Sequence, residues 1–370
     1  MIKLVMAKRS KRRARFSPSQ HGHAVRRDDQ METDEKDNER RSMLLDNLGV
    51  LLQQECSGKY SFVDYLSMNH WKNDIHDLLQ KQRTYPRHPH GDSRIDEYCR
   101  EQIVEWSFRV VDYFRIDREV VTYSLSFLDR FLATCRCDRS SFKLAATTTL
   151  QLAVKLLYPL KLGDLGILSD LSRGEFDMRD VAEMERYILK ELDWNLHPPT
   201  PTAFSTLLLD LLVSDHRLHM PQSDLDDLYD ISSFFGDLAV CDYFFLSLQP
   251  SSIAIACVLN ALEGMFGYDN TWTALVLDAA KGLNFDLRVD MASARLRLWE
   301  LYERSEECAL HNTVDPTEEE KVNASTPTYS AKNCYHHIST SPVTVAGTSY
   351  KSVTDEFCAN RSKALSNGSW

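Results

Sequence analysis

The sequence predicts an all-α protein, and three observations predict it. Apolar residues recur at helical spacing in one segment after another between residues 42 and 304. Long alternations of β-branched and polar residues, the pattern of half-buried strands, are few. Glycine is scarce, 13 in 370 residues, while Leu, Ala, Arg and Glu fill the periodic segments.

The elements follow in chain order. The stretch "RSMLLDNLGVLLQQE" opens a helix near 42–55, and "SFVDYLSMNHWKNDIHDLLQKQ" predicts another helix or an extension of it. Two prolines and a glycine in "RTYPRHPHGDSR" at 83–94 stop that pattern. Helices are then predicted at about 95–114, 118–134, 140–157, 178–193, 201–213, 224–240, 250–264, 271–282 and 288–304. Thr200 is an N-cap before Pro201 at the first helical position, and "LHPPTP" is a stop, which puts a domain junction near 197–200. Two stretches echo each other. "DRSSFKLAATTTLQLAVK" (138–155) and "LQPSSIAIACVLNALEG" (248–264) each follow an aromatic-rich helix, open on Ser-Ser and run through small residues. Small residues around a helix let neighbours approach closely, so each reads as the central helix of a bundle. The expected organisation is a disordered basic/acidic tail at 1–41, a first bundle with its leading helix at 42–198, a second at 199–305, and a disordered Ser/Thr-rich tail at 306–370.

Charge and cysteine bound the function. The chain carries −11, so no overall basic footprint points to nucleic acid as the main partner. Residues 1–27 hold nine Lys/Arg and no acid, and "DDQMETDEKDNE" at 28–39 reverses the sign. The run Lys8, Arg9, Lys11, Arg12, Arg13 and Arg15 reads as a nuclear-import address, with nucleic-acid contact or a merely solvated tail as alternatives. The expected location is the nucleus, with exchange to the cytoplasm. Nine Cys without a CxxC pair read as free thiols in a reducing compartment. The longest apolar stretch, Ile253–Leu262, is too short to span a bilayer, and the N-terminus lacks a signal-peptide pattern. No membrane, small-molecule or cofactor partner is expected.

Catalytic patterns are absent from the sequence. It has no glycine-rich phosphate loop and no nucleophile elbow, and Asp226 and Asp227, adjacent on one helix, point apart. His88 and His90 have no further ligand at zinc spacing. The chain reads as a non-enzyme.

One charge is out of place. In "EYCREQIVEWSFRVVDYF" (97–114), Arg100 lies one turn before Ile103 and Val104 on the apolar face. In the next helix Asp129 sits between Leu125 and Leu132 on the apolar side. A lone buried charge is costly and a paired one tolerable, so Arg100 and Asp129 are expected to form a buried pair. Along 140–157, Leu144, Thr148, Gln151 and Lys155 make a stripe of mixed polarity that suits contact with a partner.

"CREQIVEW", "LSFLDRFL", "KLAATTTLQLAVK" and "MERYILKELDWNL" resemble successive signature stretches of the cyclin box. The family's set of Arg, Asp, Leu, Lys and Glu falls on Arg100, Asp129, Leu144, Lys155 and Glu185. "DWNLHPPTPTAF" and "DLAVCDYFFLSLQPSSIAIACVL" resemble the D-type, G1 branch. The resemblance implies two tandem cyclin folds and a regulatory subunit that binds and activates a cyclin-dependent protein kinase in G1/S control. It implies a kinase-binding set of Lys155, Glu185, Leu144 and Gln151, with Lys155 donating to carbonyls and Glu185 accepting N–H groups at the ends of a kinase helix. A cyclin-fold transcription protein, either partner of a transcriptional kinase or DNA-bound factor, is the alternative. Where many cyclins present an apolar substrate-docking groove, this chain has Cys99, Gln102, Ile103 and Trp106, a more polar and degenerate version. "LLYP" follows Lys155 where the family often has two Glu, and no Leu-x-Cys-x-Glu stretch occurs. Thr326-Pro327 and Ser341-Pro342 fit proline-directed phosphorylation.

Overall fold

The computed structural model describes residues 27–61, 63–68, 70–75, 95–160, 176–214, 220–267, 271–283 and 290–311. The basic run at 8–15, His88, His90, Thr326 and Ser341 lie outside the described residues. The helices are α1 (Arg27–Cys56), α2 (Glu97–Tyr113), α3 (Glu119–Leu132), α4 (Arg139–Leu157), α5 (Met178–Glu191), α6 (Pro201–Ser214), α7 (Gln222–Cys241), α8 (Pro250–Phe266), α9 (Thr271–Gly282) and α10 (Asp290–His311). A short 3₁₀ turn, Tyr243–Ser247, follows α7, and two two-residue strands, β1 (Asn73–Asp74) and β2 (Cys135–Arg136), pair in parallel.

The fold is all-α, and its helices start where side chains satisfy their exposed N–H groups. Asp96 caps α2 through the Cys99 N–H, and Asp138 caps α4 through the Ser141 N–H. Asp177 and Asp180 form a reciprocal capping box on α5. Thr200 accepts from the Ala203 N–H at 3.1 Å at the start of α6 and donates to Glu119 of α3 at 2.9 Å, so the N-cap also ties the two halves together.

Two hydrophobic cores result. The first gathers Val104, Val111, Val121, Phe127, Leu128, Phe131, Ala145, Leu150, Met184 and Ile188. The second gathers Phe204, Leu208, Leu228, Phe235, Ile255, Val258, Leu262, Leu298 and Trp299. Each surrounds a helix of small residues: α4 is buried at every position from Leu144 to Leu150, and α8 from Ser251 to Gly264. The two echoing sequence stretches are these central helices.

Four expectations need correction. The first helix begins at Arg27, not near 42, so part of the expected 1–41 tail is helical. The sequence places Glu32 four residues before Lys36 and Asp37 four before Arg41, spacing that supports a helix in water without an apolar face. This helix does not lead the first bundle. Leu48 enters the second core, and Glu55 caps α8, accepting from the Ser251 N–H at 2.8 Å and its hydroxyl at 2.7 Å. The described part of 61–75 is largely irregular where a helix was expected. There the Asn73 N–H donates to the Thr134 carbonyl at 3.1 Å, a backbone bond a helix would have kept to itself, and the Trp71 indole N–H donates to the Leu132 carbonyl at 3.0 Å. At the other end α10 runs to His311, past the expected boundary at 305.

Burial raises the Glu55 pKa against the lowering effect of its Ser251 hydrogen bonds. An acid whose folded pKa is raised binds a proton more tightly when folded. Its contribution to stability is therefore complete below the unfolded pKa and lost as pH rises through the folded value. Glu55→Gln should remove this pH dependence, which lies above the ordinary glutamate range, in urea titrations, and leave stability at pH 7 equal or higher. A large loss at pH 7 would show that the charge itself is required.

Candidate functional site

The out-of-place arginine sits where the two bundles meet. Arg100 is 3% exposed, and Nε and Nη2 donate to the two Asp129 oxygens at 3.1 and 3.0 Å. Nη1 donates to the Val240 carbonyl at 2.9 Å, so the same guanidinium reaches the end of α7 in the second bundle. Tyr65, in the strap between α1 and β1, donates its hydroxyl to Asp129 at 2.9 Å. The Tyr65 ring meets the Tyr243 ring edge-on at 5.6 Å, and Tyr243 donates to Asp64 at 2.8 Å. Burial lowers the Arg100 pKa, but the Asp129 charge and hydrogen bonds outweigh it and the net shift is upward. Burial and the Asp129 charge raise the Tyr65 pKa. A second arginine repeats the device: Arg118 forks onto Asp112 at 2.9 and 2.5 Å and faces Asp237 of α7 at 3.6 Å.

Lys155 and Glu185 converge from α4 and α5. Lys155 Nζ donates to both Glu185 oxygens at 2.7 Å, with side chains 39% and 19% exposed. At the surface such a pair contributes little to stability, under about 1 kcal/mol, so both groups remain available to a partner. Gln151 is half-buried one turn before Lys155. Leu144 is not part of this surface: it is 2% exposed inside the first core, and Thr148, on the same stripe, is buried with its hydroxyl donating to the Leu144 carbonyl. The stripe fails because α4 is covered on all sides from Leu144 to Leu150.

Beyond Lys155, Leu156 and Leu157 are half-buried and Tyr158 is exposed. Past the end of α5, Asp193 and Trp194 adopt φ of 48° and 58°, the left-handed region, and Trp194 stands 69% exposed. Trp194 was missed in the sequence, although a bulky aromatic immediately after a helix stop was there to be read. Tyr65 and Tyr243 were also missed, because partners 64 and 179 residues away leave no local pattern.

The degenerate groove lies along one flank of α2. Cys99, Ile103 and Trp106 pack half-buried against the first core and Gln102 is exposed among them, a shallow apolar strip with a polar break. Among the described residues no group of three or more His, Cys, Asp or Glu could hold a metal, and no helix is long and apolar enough to cross a membrane.

The chain resembles known proteins over part of its length. Residues 68–197 match the family described as Cyclin, N-terminal domain. A G2/mitotic-specific cyclin of Glycine max is 28% identical over 180 residues, 47% of this chain and 65% of its own length. The G2/mitotic-specific cyclin-B2 of Oryzias javanicus is 26% identical over 186 residues, 50% of this chain and 45% of its own. The chain thus spans less than two thirds of the length of these relatives. A viral cyclin from herpesvirus saimiri superposes with a TM-score of 0.47 at 21% identity, covering 57% of this chain and 89% of that one. The family match is confined to residues 68–197, and the relatives that resemble the chain carry the cyclin name. They do not support a particular closeness to the D-type branch, since the relatives carry mitotic names.

Arg100→Ala leaves Asp129 buried without its counter-charge and should destabilise the fold by about 3–5 kcal/mol. Tyr65→Phe removes one hydrogen bond and should cost about 1 kcal/mol. Urea unfolding of both variants checks this ordering; equal, small effects would mean that the pair does not hold the bundles.

Proposed function

We propose that the chain is a cyclin that binds a cyclin-dependent protein kinase and activates it, and is not itself an enzyme. The observation that carries the reading is the convergence of Lys155 and Glu185, from two helices, on one accessible surface beside the half-buried Leu156 and Leu157. A kinase helix laid across that surface presents carbonyl groups to Lys155 and N–H groups to Glu185. Trp194 supplies an exposed aromatic of the kind that anchors interfaces.

The activating step follows from kinase chemistry. Phosphoryl transfer requires a Glu on the kinase αC helix to pair with the Lys that positions ATP phosphates. A rigid surface that binds αC-in better than αC-out shifts the kinase toward the active form. Moving the ratio from 1:99 to 99:1 takes a preference of about 5.5 kcal/mol. The two cores and the Arg100 clamp supply the rigidity.

The phase of action is the finer part of the proposal. The stretches "DWNLHPPTPTAF" and "DLAVCDYFFLSLQPSSIAIACVL" favour a D-type role in G1/S, whereas the relatives' names favour G2/M. Abundance of the protein through a synchronised cell cycle separates the two. Nuclear location rests on the basic run at 8–15: replacing Lys11, Arg12 and Arg13 with Ala should move a fluorescent fusion toward the cytoplasm. Unchanged nuclear enrichment would remove that role from the run.

The kinase reading is tested with purified cyclin-dependent kinases and a proline-directed peptide. Wild type should bind and activate one of them, and Lys155→Glu and Glu185→Lys should abolish activation with stability changed by under about 0.5 kcal/mol. Trp194→Ala should weaken binding by at least about fivefold. Both charge variants activating like wild type would overturn the proposal.

A further inference from the structure

Arg130 follows Asp129 on α3, half-buried, and its environment differs from that of the buried Arg100 and Arg118. Arg100 and Arg118 each fork onto a carboxylate. Among the described residues Arg130 meets the Asn195 carbonyl, which accepts from Nη1 at 3.0 Å, and the Tyr60 ring, whose centroid lies 4.9 Å from the guanidinium carbon. Burial lowers its pKa and the Tyr60 side chain offsets part of that. A cation so placed is useful for what it holds.

What it holds is the turn that carries Trp194. Asp193 and Trp194 are successive non-glycine residues in the left-handed region, a conformation that persists only where the surroundings over-determine it. Within the turn, the Trp194 N–H donates to the Leu189 carbonyl at 3.1 Å and the Asn195 N–H to the Leu192 carbonyl at 2.9 Å. The Trp194 ring is 69% exposed, so it does not anchor the turn by packing. Arg130 holds the turn from outside, at a helix C-terminus where positive charge is favoured. Tyr60 stacks on the guanidinium from the strap that also delivers Tyr65 to Asp129. Consecutive residues of α3 thus grip the strap at two points, and one of them passes that grip on to the Trp194 turn.

We propose that Arg130, backed by Tyr60, is a positioning residue: it fixes the Asp193–Trp194 turn so that Trp194 stands out toward the kinase. The kinase part rests on the reading given under Proposed function; the geometric part does not.

The test labels the full chain with 5-fluorotryptophan and follows the six tryptophans by ¹⁹F NMR, with Trp194 assigned by the loss of its signal in Trp194→Phe. In Arg130→Met and Tyr60→Ala the Trp194 signal should shift or broaden, while Trp299 in the second core stays in place. Tyr60→Phe keeps the aromatic face and should restore the wild-type signal. With the kinase, Arg130→Met should weaken binding about tenfold in the wild-type background. It should change binding by less than about twofold in a Trp194→Ala background, because the two act as a unit. An unmoved Trp194 signal in both variants, or an equal loss of affinity in the two backgrounds, overturns the proposal. If Arg130→Met does not fold, Tyr60→Ala carries both arms. If the wild type binds no cyclin-dependent kinase, the functional reading falls, and the NMR arm still decides whether Arg130 positions the turn.

Discussion

The fold depends on one guanidinium. Taking Arg100 out of water is tolerable because four of its surroundings are fixed at once: Asp129 on α3, the Val240 carbonyl at the end of α7, Tyr65 through Asp129, and the face of Tyr243 6.0 Å away. These come from three separate stretches of chain: α3, the strap, and the end of α7 with the turn that follows it. A charge that can be satisfied only when α2, α3, the strap and the second bundle are all in place penalises every arrangement in which one is absent. That is a device for fixing geometry rather than for adding stability, since a well-packed apolar cluster of the same volume would stabilise as much.

Fixed geometry is what the surface of Lys155 and Glu185 requires. A pair at 2.7 Å can be split by a partner with little cost in water, but it can favour one kinase conformation over another only if α4 and α5 do not yield. Both helices rest on the first core. The central position of α4, buried from Leu144 to Leu150, leaves its last turns as the part that can face a partner. The same burial removes Leu144 from the contact set.

The helices were legible in the sequence because apolar periodicity is a local signal. From α2 onward their ends fall within a few residues of expectation until α10, which overruns by about two turns. The Arg100–Asp129 contact was legible for a related reason: each charge broke an apolar stripe. Three kinds of feature were not. The polar N-terminal part of α1 has no stripe to read, and its attachment to the second bundle rests on Leu48 and on Glu55 at the start of α8, far along the chain. The strap reads as helical because Phe62, Tyr65, Leu66 and Met68 are apolar, yet the described residues among them pack on the first core from an irregular backbone. Tyr243 and Trp194 owe their places to a 3₁₀ turn and a left-handed pair, neither of which has a periodicity.

The central claim, that the ends of α4 and α5 form a kinase-binding face held rigid by the clamp, is tested most directly by hydrogen exchange of the full chain with and without a cyclin-dependent kinase. The account predicts new protection confined to residues 151–158 and 183–196, with the backbone of α8 and α10 unchanged. Protection that falls on α8 and α10, with none at the ends of α4 and α5, would contradict it.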